Sequence, residues 1–397
     1  MHIQFNSVTT LLIACVMLLI GRTLRINVKF FERFLIPTPV IGGFIASITV
    51  LILKKVFGID LLFDVQLQSP LMVAFFTTVG LGGSYTLIKT GGKALVVYLL
   101  LCWFVALYQS GLGILLASMF DIHPVLGVMS GAVALEGGHG NAAAFGSMAE
   151  DLGVSSSTAV AIAAATFGLI AGSLLGGPVG GYLIRKHNLK IEAENITFET
   201  KHDKHTEVSA YTFIRTLALL LVSMVIGQYI AGIFTMHTGY SLPAYVGAML
   251  VAIVLRNFND IVHVVTLNEK AVNLIAEISL GLFLTMAMMN MRLWELADVA
   301  GPLIIMLVIQ VLCLVGLTVF VLFRMLGKSY DSAIMCAGMI GHGLGATPNA
   351  VANMSSVTER YGVHSPKAFL IIPLCGAVLI DVVSIPWHTW LINYLVK

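Results

Sequence analysis

The chain has 397 residues, 58% of them hydrophobic and only 11% charged, and its mean hydropathy is +0.94. Soluble globular proteins carry about 25% charged residues, so this composition leaves too little polar surface to face water, and the solvent must be lipid. A net charge of +2 gives no basic footprint for nucleic acid, and the five cysteines (Cys15, Cys102, Cys313, Cys336, Cys375) are odd in number and lack CxxC spacing, so they read as small apolar core residues and not as a disulfide framework or a zinc site.

In chain order, residues 8–20 are apolar, but Arg22 and Arg25 follow the run instead of preceding it. It therefore reads as a first membrane span that is kept, not as a signal peptide. Runs long enough to cross about 30 Å of hydrocarbon are expected at 6–21, 38–57, 70–88, 94–118 and 157–184. After a polar, mixed-charge linker at 185–210 they resume at 211–235, 242–257, 273–291, 299–323 and 367–392. Two further stretches, 124–148 and 331–356, are apolar but rich in Gly, Ala, Ser and Asn.

With both termini outside, 18 of the 22 Lys and Arg residues fall on the inner side, leaving Lys54, Lys55, Arg292 and Lys397 outside. That bias selects the orientation. It requires ten full spans, with each glycine-rich stretch entering and leaving on one side. The linker is then cytoplasmic, and Trp387, Trp390 and Tyr394 sit at the outer end of the last span.

The halves resemble each other. Shifted by 208 residues, Phe75 meets Phe283, Thr77 meets Thr285, Gly137 meets Gly345, Asn141 meets Asn349 and Gly168 meets Gly376; a shift of 204 brings Pro39 to Pro243 and Gly43 to Gly247. Five spans per half turn the second half upside down. The expected fold is an all-α polytopic membrane protein of two inverted repeats, 1–184 and 211–397, each of five transmembrane helices and a re-entrant hairpin. This is a recurrent transporter architecture.

The chemistry concentrates in the two glycine-rich stretches, LEGGHGNAAAFG and GHGLGATPNAVANM. Glycine at this density breaks a helix, and broken backbone in lipid is tolerated only where protein or water meets it. Asn141 and Thr347 are expected to cap the second half-helices, and Pro348 fits a first helical turn. Asp381, inside the last span, is a costly buried carboxylate and a candidate Na+ or proton ligand. Glu136 either coordinates a cation or faces an outer vestibule, and His139 either contacts substrate or packs. No HExxH, GxGD or Walker A sequence is present, so neither an enzyme nor an ATP-driven pump is expected. The paired breaks favour an occludable site over a channel pore.

At these two segments the chain resembles the bacterial glutamate:Na+ symporter (ESS) family. The likeness runs nearly end to end, through IPTPVIGG at 36–43, PLMVAFFTTVGL at 70–81, TFGLIAGSLLGGP at 166–178, FLTMAMM and LWELA within 283–297, and ATPNAVANMSSVTERYG at 346–362. It implies Na+-coupled import of L-glutamate across the bacterial inner membrane, with Na+ as coupling ion and no organic cofactor. It also implies a homodimer whose transport domain moves against a scaffold, as in an elevator. The hairpin tips would hold substrate, with Gly137, Gly138, His139, Gly140, Asn141, Gly345, Thr347, Asn349 and Asn353 as candidates, and Asp381, Thr166 and Glu136 would serve the cation. Glu136, where the pattern has a small residue, and His342, where it has an aromatic one, depart from it. A Na+- or H+-coupled carrier of another small organic anion is the alternative.

Overall fold

A computed structural model describes residues 2–34, 36–189, 209–239, 242–263, 267–291 and 299–396. Most of the linker, with Lys190, Lys201 and Lys204, lies outside the described residues, as do Arg292, the LWELA motif and Lys397. The helices are α1 (Ser7–Asn27), α2 (Lys29–Arg33), α3 (Thr38–Phe57), α4 (Gln68–Gly82), α5 (Tyr85–Met119), α6 (Pro124–Met129), α7 (Ala132–Leu135), α8 (Gly138–Asp151) and α9 (Ser157–Lys186). After the linker come α10 (Ala210–Thr238), α11 (Ala244–Val262), α12 (Glu269–Met289), α13 (Ala300–Met325), α14 (Tyr330–Gly343), α15 (Thr347–Tyr361), α16 (Pro366–Leu374) and α17 (Asp381–Val396).

Among the described residues, eight helices are long and apolar enough to cross a membrane: α1, α3, α5 from Gly92 onward, α9, α10, α11, α12 and α13. The chain is thus a multi-pass membrane protein. The other two expected spans take different forms. The 70–88 run is a 15-residue helix, α4, that stops at Gly82. The 367–392 run is not continuous: α16, a π-helical turn at Cys375–Leu379 and α17 succeed one another. Pro373 and Pro386 lie inside the two helices, and each removes a backbone donor. Asp381 begins α17, just after the π-helical turn, instead of sitting within a continuous span.

Helix starts follow local chemistry. The side chains of Asn6, Ser209, Asn268, Ser329 and Ser365 each accept from a first-turn N–H that the helix itself cannot satisfy. The fold also contains a parallel pair of short strands, β1 (His2–Phe5) with β2 (Asp60–Phe63), which an all-α expectation omits. Ser7 Oγ donates to Asp64 Oδ2 at 2.6 Å beside it, and this bond holds the Asp64 carboxyl below its usual range.

The helices pack as two groups. One contains α1, α3, α4, α10, α11 and α12. Within it α1 packs on α3, α3 on α12, α10 on α11 and α11 on α4. The other contains α5–α9 and α13–α17, with α9 packed against α8, α14 and α15. The groups touch chiefly where α8 meets α12, α4 meets the π-helical turn and α11 meets α17. Phe145 of α8 and Tyr245 of α11, both buried, meet edge to face across this seam at 5.8 Å between centroids.

Candidate functional site

Both glycine-rich stretches form helix–break–helix units. In the second, α14 ends at Gly343 and α15 begins at Thr347, with Pro348 in its first turn. The two helices pack so closely that a Cβ on Gly341 would lie 2.6 Å from Ala350 Cα. The first is broken twice, at Ser130–Gly131 between α6 and α7 and again at Glu136–Gly137 before α8. Gly138 has φ +65°, and a Cβ there would sit 3.1 Å from the Gly345 carbonyl oxygen. The positive φ favours glycine, and the contact joins the two breaks.

The caps differ from expectation. The residues preceding α8 and α15 are Gly137 and Ala346, neither helix has a side-chain cap, and Asn141 lies inside α8. Both helices start earlier than expected, α8 three residues before Asn141 and α15 at Thr347 itself, and the Asn141 Nδ2 instead donates to Asp381 Oδ1 at 3.2 Å.

A cavity of about 430 Å³ lies between the two groups. The first group supplies Pro37, Phe75, Val79, Leu280 and Leu284; the second supplies residues 136–141, Leu169, residues 345–349, Gly376, Ile380 and Asp381. It adjoins a second cavity at Phe75 and Val79, which continues past Arg256 and Glu269. The starts of α8 and α15 both border it. Each helix N-terminus carries roughly half a positive charge and unpaired N–H donors, although Pro348 contributes no donor. An anion is thus met by backbone alone, while Asp381 supplies the opposite charge at the same wall.

The structure brings ten of the twelve candidate residues to this cavity and leaves Thr166 and Asn353 out of its walls. Thr166 Oγ1 donates to Ile162 O (2.9 Å), so it accepts from His139 Nε2 at 3.0 Å. Asn353 Nδ2 donates to Gly172 O at 3.0 Å, pinning α15 to α9. Asn349 borders the cavity, but its side chain is occupied: Oδ1 accepts from Ser173 Oγ (2.6 Å) and Nδ2 donates to Leu169 O (3.1 Å). Ser173, which holds Asn349, was not among the candidates, and the 208-residue shift that equates Asn141 with Asn349 also equates Ser173 with Asp381. The Asn141–Asp381 and Ser173–Asn349 contacts join residues that the shift equates, the asparagine donating in the first and accepting in the second. Phe75 and Phe283, equivalent under the same shift, face each other at 5.8 Å. Glu136 borders the cavity with its backbone, while its carboxylate turns inward to His342, with Oε1 3.7 Å from Nε2.

Residues 3–363 match the family model described as Sodium/glutamate symporter. The chain is 38% identical over 386 residues to the sodium/glutamate symporter of Escherichia coli (strain K12), with 96% of each covered. It is 37% identical over 391 residues to that of Haemophilus influenzae, covering 97% of this chain and 96% of that one. The solved structure of the sodium proton antiporter MjNhaP1 from Methanocaldococcus jannaschii covers 98% of both chains at TM-score 0.41 and 13% identity, a distant likeness.

Proposed function

The chain belongs to the sodium/glutamate symporter family, and from that premise we propose that it imports L-glutamate with Na+ across a bacterial inner membrane by alternating access. The observation that carries this reading is the cavity between the two helix groups, walled by both helix breaks and by Asp381. The starts of α8 and α15 receive the two substrate carboxylates, the glycines at 137–140 and Gly345 let backbone approach them, and Asp381, held by Asn141, takes a Na+ or the substrate ammonium. Thr166 acts through His139, and Asn349 and Asn353 hold α15 against α9.

The exchanged contacts Asn141–Asp381 and Ser173–Asn349 support two inverted repeats. Placing both termini outside follows from the Lys and Arg bias. The narrow seam supports an elevator in which α5–α9 and α13–α17 move against a scaffold of the first group, within a homodimer.

Glutamate carries one net negative charge into a negative interior, which costs about 2.3 kcal/mol per 100 mV. One Na+ cancels that cost and a second makes the potential help, so more than one Na+ per glutamate is expected. Labelled L-glutamate should accumulate in proteoliposomes only under an inward Na+ gradient, and faster when the interior is made negative. Accumulation on a proton gradient alone would remove Na+ from the reading. Complete competition by a dicarboxylate lacking the ammonium group would reassign the substrate.

A further inference from the structure

Behind the substrate cavity lies a cluster that symport does not use. Cys102 of α5, Glu136 at the end of α7 and His342 near the end of α14 place one ligand atom each within 4.8 Å of the others. All three are buried, His342 at 0% exposure and Glu136 at 5%. Among the described residues, neither Glu136 oxygen and neither His342 nitrogen has a hydrogen-bond partner. Four buried polar atoms without hydrogen bonds in one place are costly, and the contact of Glu136 Oε1 with His342 Nε2 at 3.7 Å offsets only part of that cost.

We propose that Cys102, Glu136 and His342 form a binding site for a divalent transition-metal cation of the zinc class. Thiolate sulfur, imidazole nitrogen and carboxylate oxygen are the ligand set such ions take, whereas Na+ and Mg2+ select oxygen alone. A tetrahedral ion with bonds of about 2.0–2.3 Å holds its ligand atoms roughly 3.3–3.7 Å apart. Glu136 Oε1 and His342 Nε2 already stand 3.7 Å apart.

Charge argues the same way. The Cys102 thiol loses its proton to solvent on binding. One thiolate and one carboxylate then neutralise a divalent ion, leaving no net charge buried in the membrane. Packing fixes the His342 ring, because a Cβ on Gly376 would lie 3.0 Å from its Nδ1, and the ring lies flat against the α16–α17 break. Glu136 is also among the residues lining the substrate cavity, so the cluster lies directly behind that wall. Because the ligands join α5 to both helix breaks, a bound ion ties the two breaks together.

The test is titration of the tag-free, purified protein with Co2+ alone, read by absorbance. One Co2+ per chain should bind, with a near-ultraviolet sulfur-to-cobalt charge-transfer band. Cys102→Ser should abolish the band and His342→Gln should weaken affinity by at least the ~10–100-fold that even a supporting contact costs. Cys336→Ser, at a buried cysteine outside the cluster, should keep both. If Cys102→Ser does not fold, X-ray absorption of the Zn2+-loaded wild type decides, with one sulfur at about 2.3 Å expected in the first shell. A monodisperse wild type that binds no Co2+, or binds it with nitrogen and oxygen ligands only, overturns the proposal, whatever the uptake assays give.

Discussion

Asn141 and Asn349 are equivalent residues with unequal partners. One holds a carboxylate, Asp381, and the other a hydroxyl, Ser173. On the proposed repeat, the two halves supply two copies of one scaffold, and a single side-chain difference puts the negative charge on one of them. Asp381→Asn should raise the Na+ concentration for half-maximal uptake at least tenfold, about 1.4 kcal/mol, or stop transport in a protein that still purifies as a folded species. Ser173→Ala should leave the Na+ dependence where it was and lower thermal stability by about 1 kcal/mol, the net worth of one hydrogen bond. Unchanged Na+ kinetics in Asp381→Asn would remove the aspartate from the cation site. Asp381 stood out in the sequence because carboxylates inside spans are rare; Ser173 did not, because serine in a glycine- and alanine-rich helix is ordinary. Glu136 and His342 stood out singly, as departures from a family pattern. Their pairing, with Cys102 completing the cluster, could not be read from spacing, since the three residues come from separate helices in both halves.

At the scale of elements, glycine did two jobs, and only one was visible beforehand. At the breaks it interrupts a helix, which density of glycine signals directly. In α1–α3 and α10–α11 it lets backbones touch: a Cβ on Gly42 would overlap the Met17 backbone, and one on Gly247 would overlap the Gly227 carbonyl. The close approach recurs in both halves at neighbouring positions, since the 204-residue shift equates Gly247 with Gly43, one residue after Gly42. Gly42→Val and Gly247→Val should each destabilise the protein by about 1–3 kcal/mol or more through overpacking, visible as a lower melting temperature in detergent. Were one tolerated and the other not, the two pairs would not be structurally equivalent. The span positions were legible because hydrophobic length is nearly a sufficient code in lipid. The end of α4, the second break in the first unit and the interruption before Asp381 were not, because each depends on tertiary partners for backbone groups that hydropathy does not register.

For the whole molecule, the division into two helix groups makes a claim that neither residues nor elements make alone. Six helices of the first group and the broken helices of the second are each densely packed inside, while the seam between them is crossed by few contacts, Phe145 against Tyr245 among them. Packed interiors resist continuous deformation, so large motion is expected where contacts are sparse. The cavity proposed for substrate lies on that seam, with the charged and glycine-rich wall on one group and an apolar wall of Phe75, Val79, Leu280 and Leu284 on the other. A wall of this kind makes no bond to substrate and can slide past it. If transport is the movement of one group along the other, joining them must stop it. Phe145→Cys with Tyr245→Cys, in a background where Cys15 and Cys313, the two cysteines not buried, are replaced by serine, should lose Na+-driven uptake when bridged through two disulfides by a short bis-methanethiosulfonate and regain it on reduction. Uptake that survives complete bridging would mean that the seam does not move, and that access alternates through opening of the helix breaks alone.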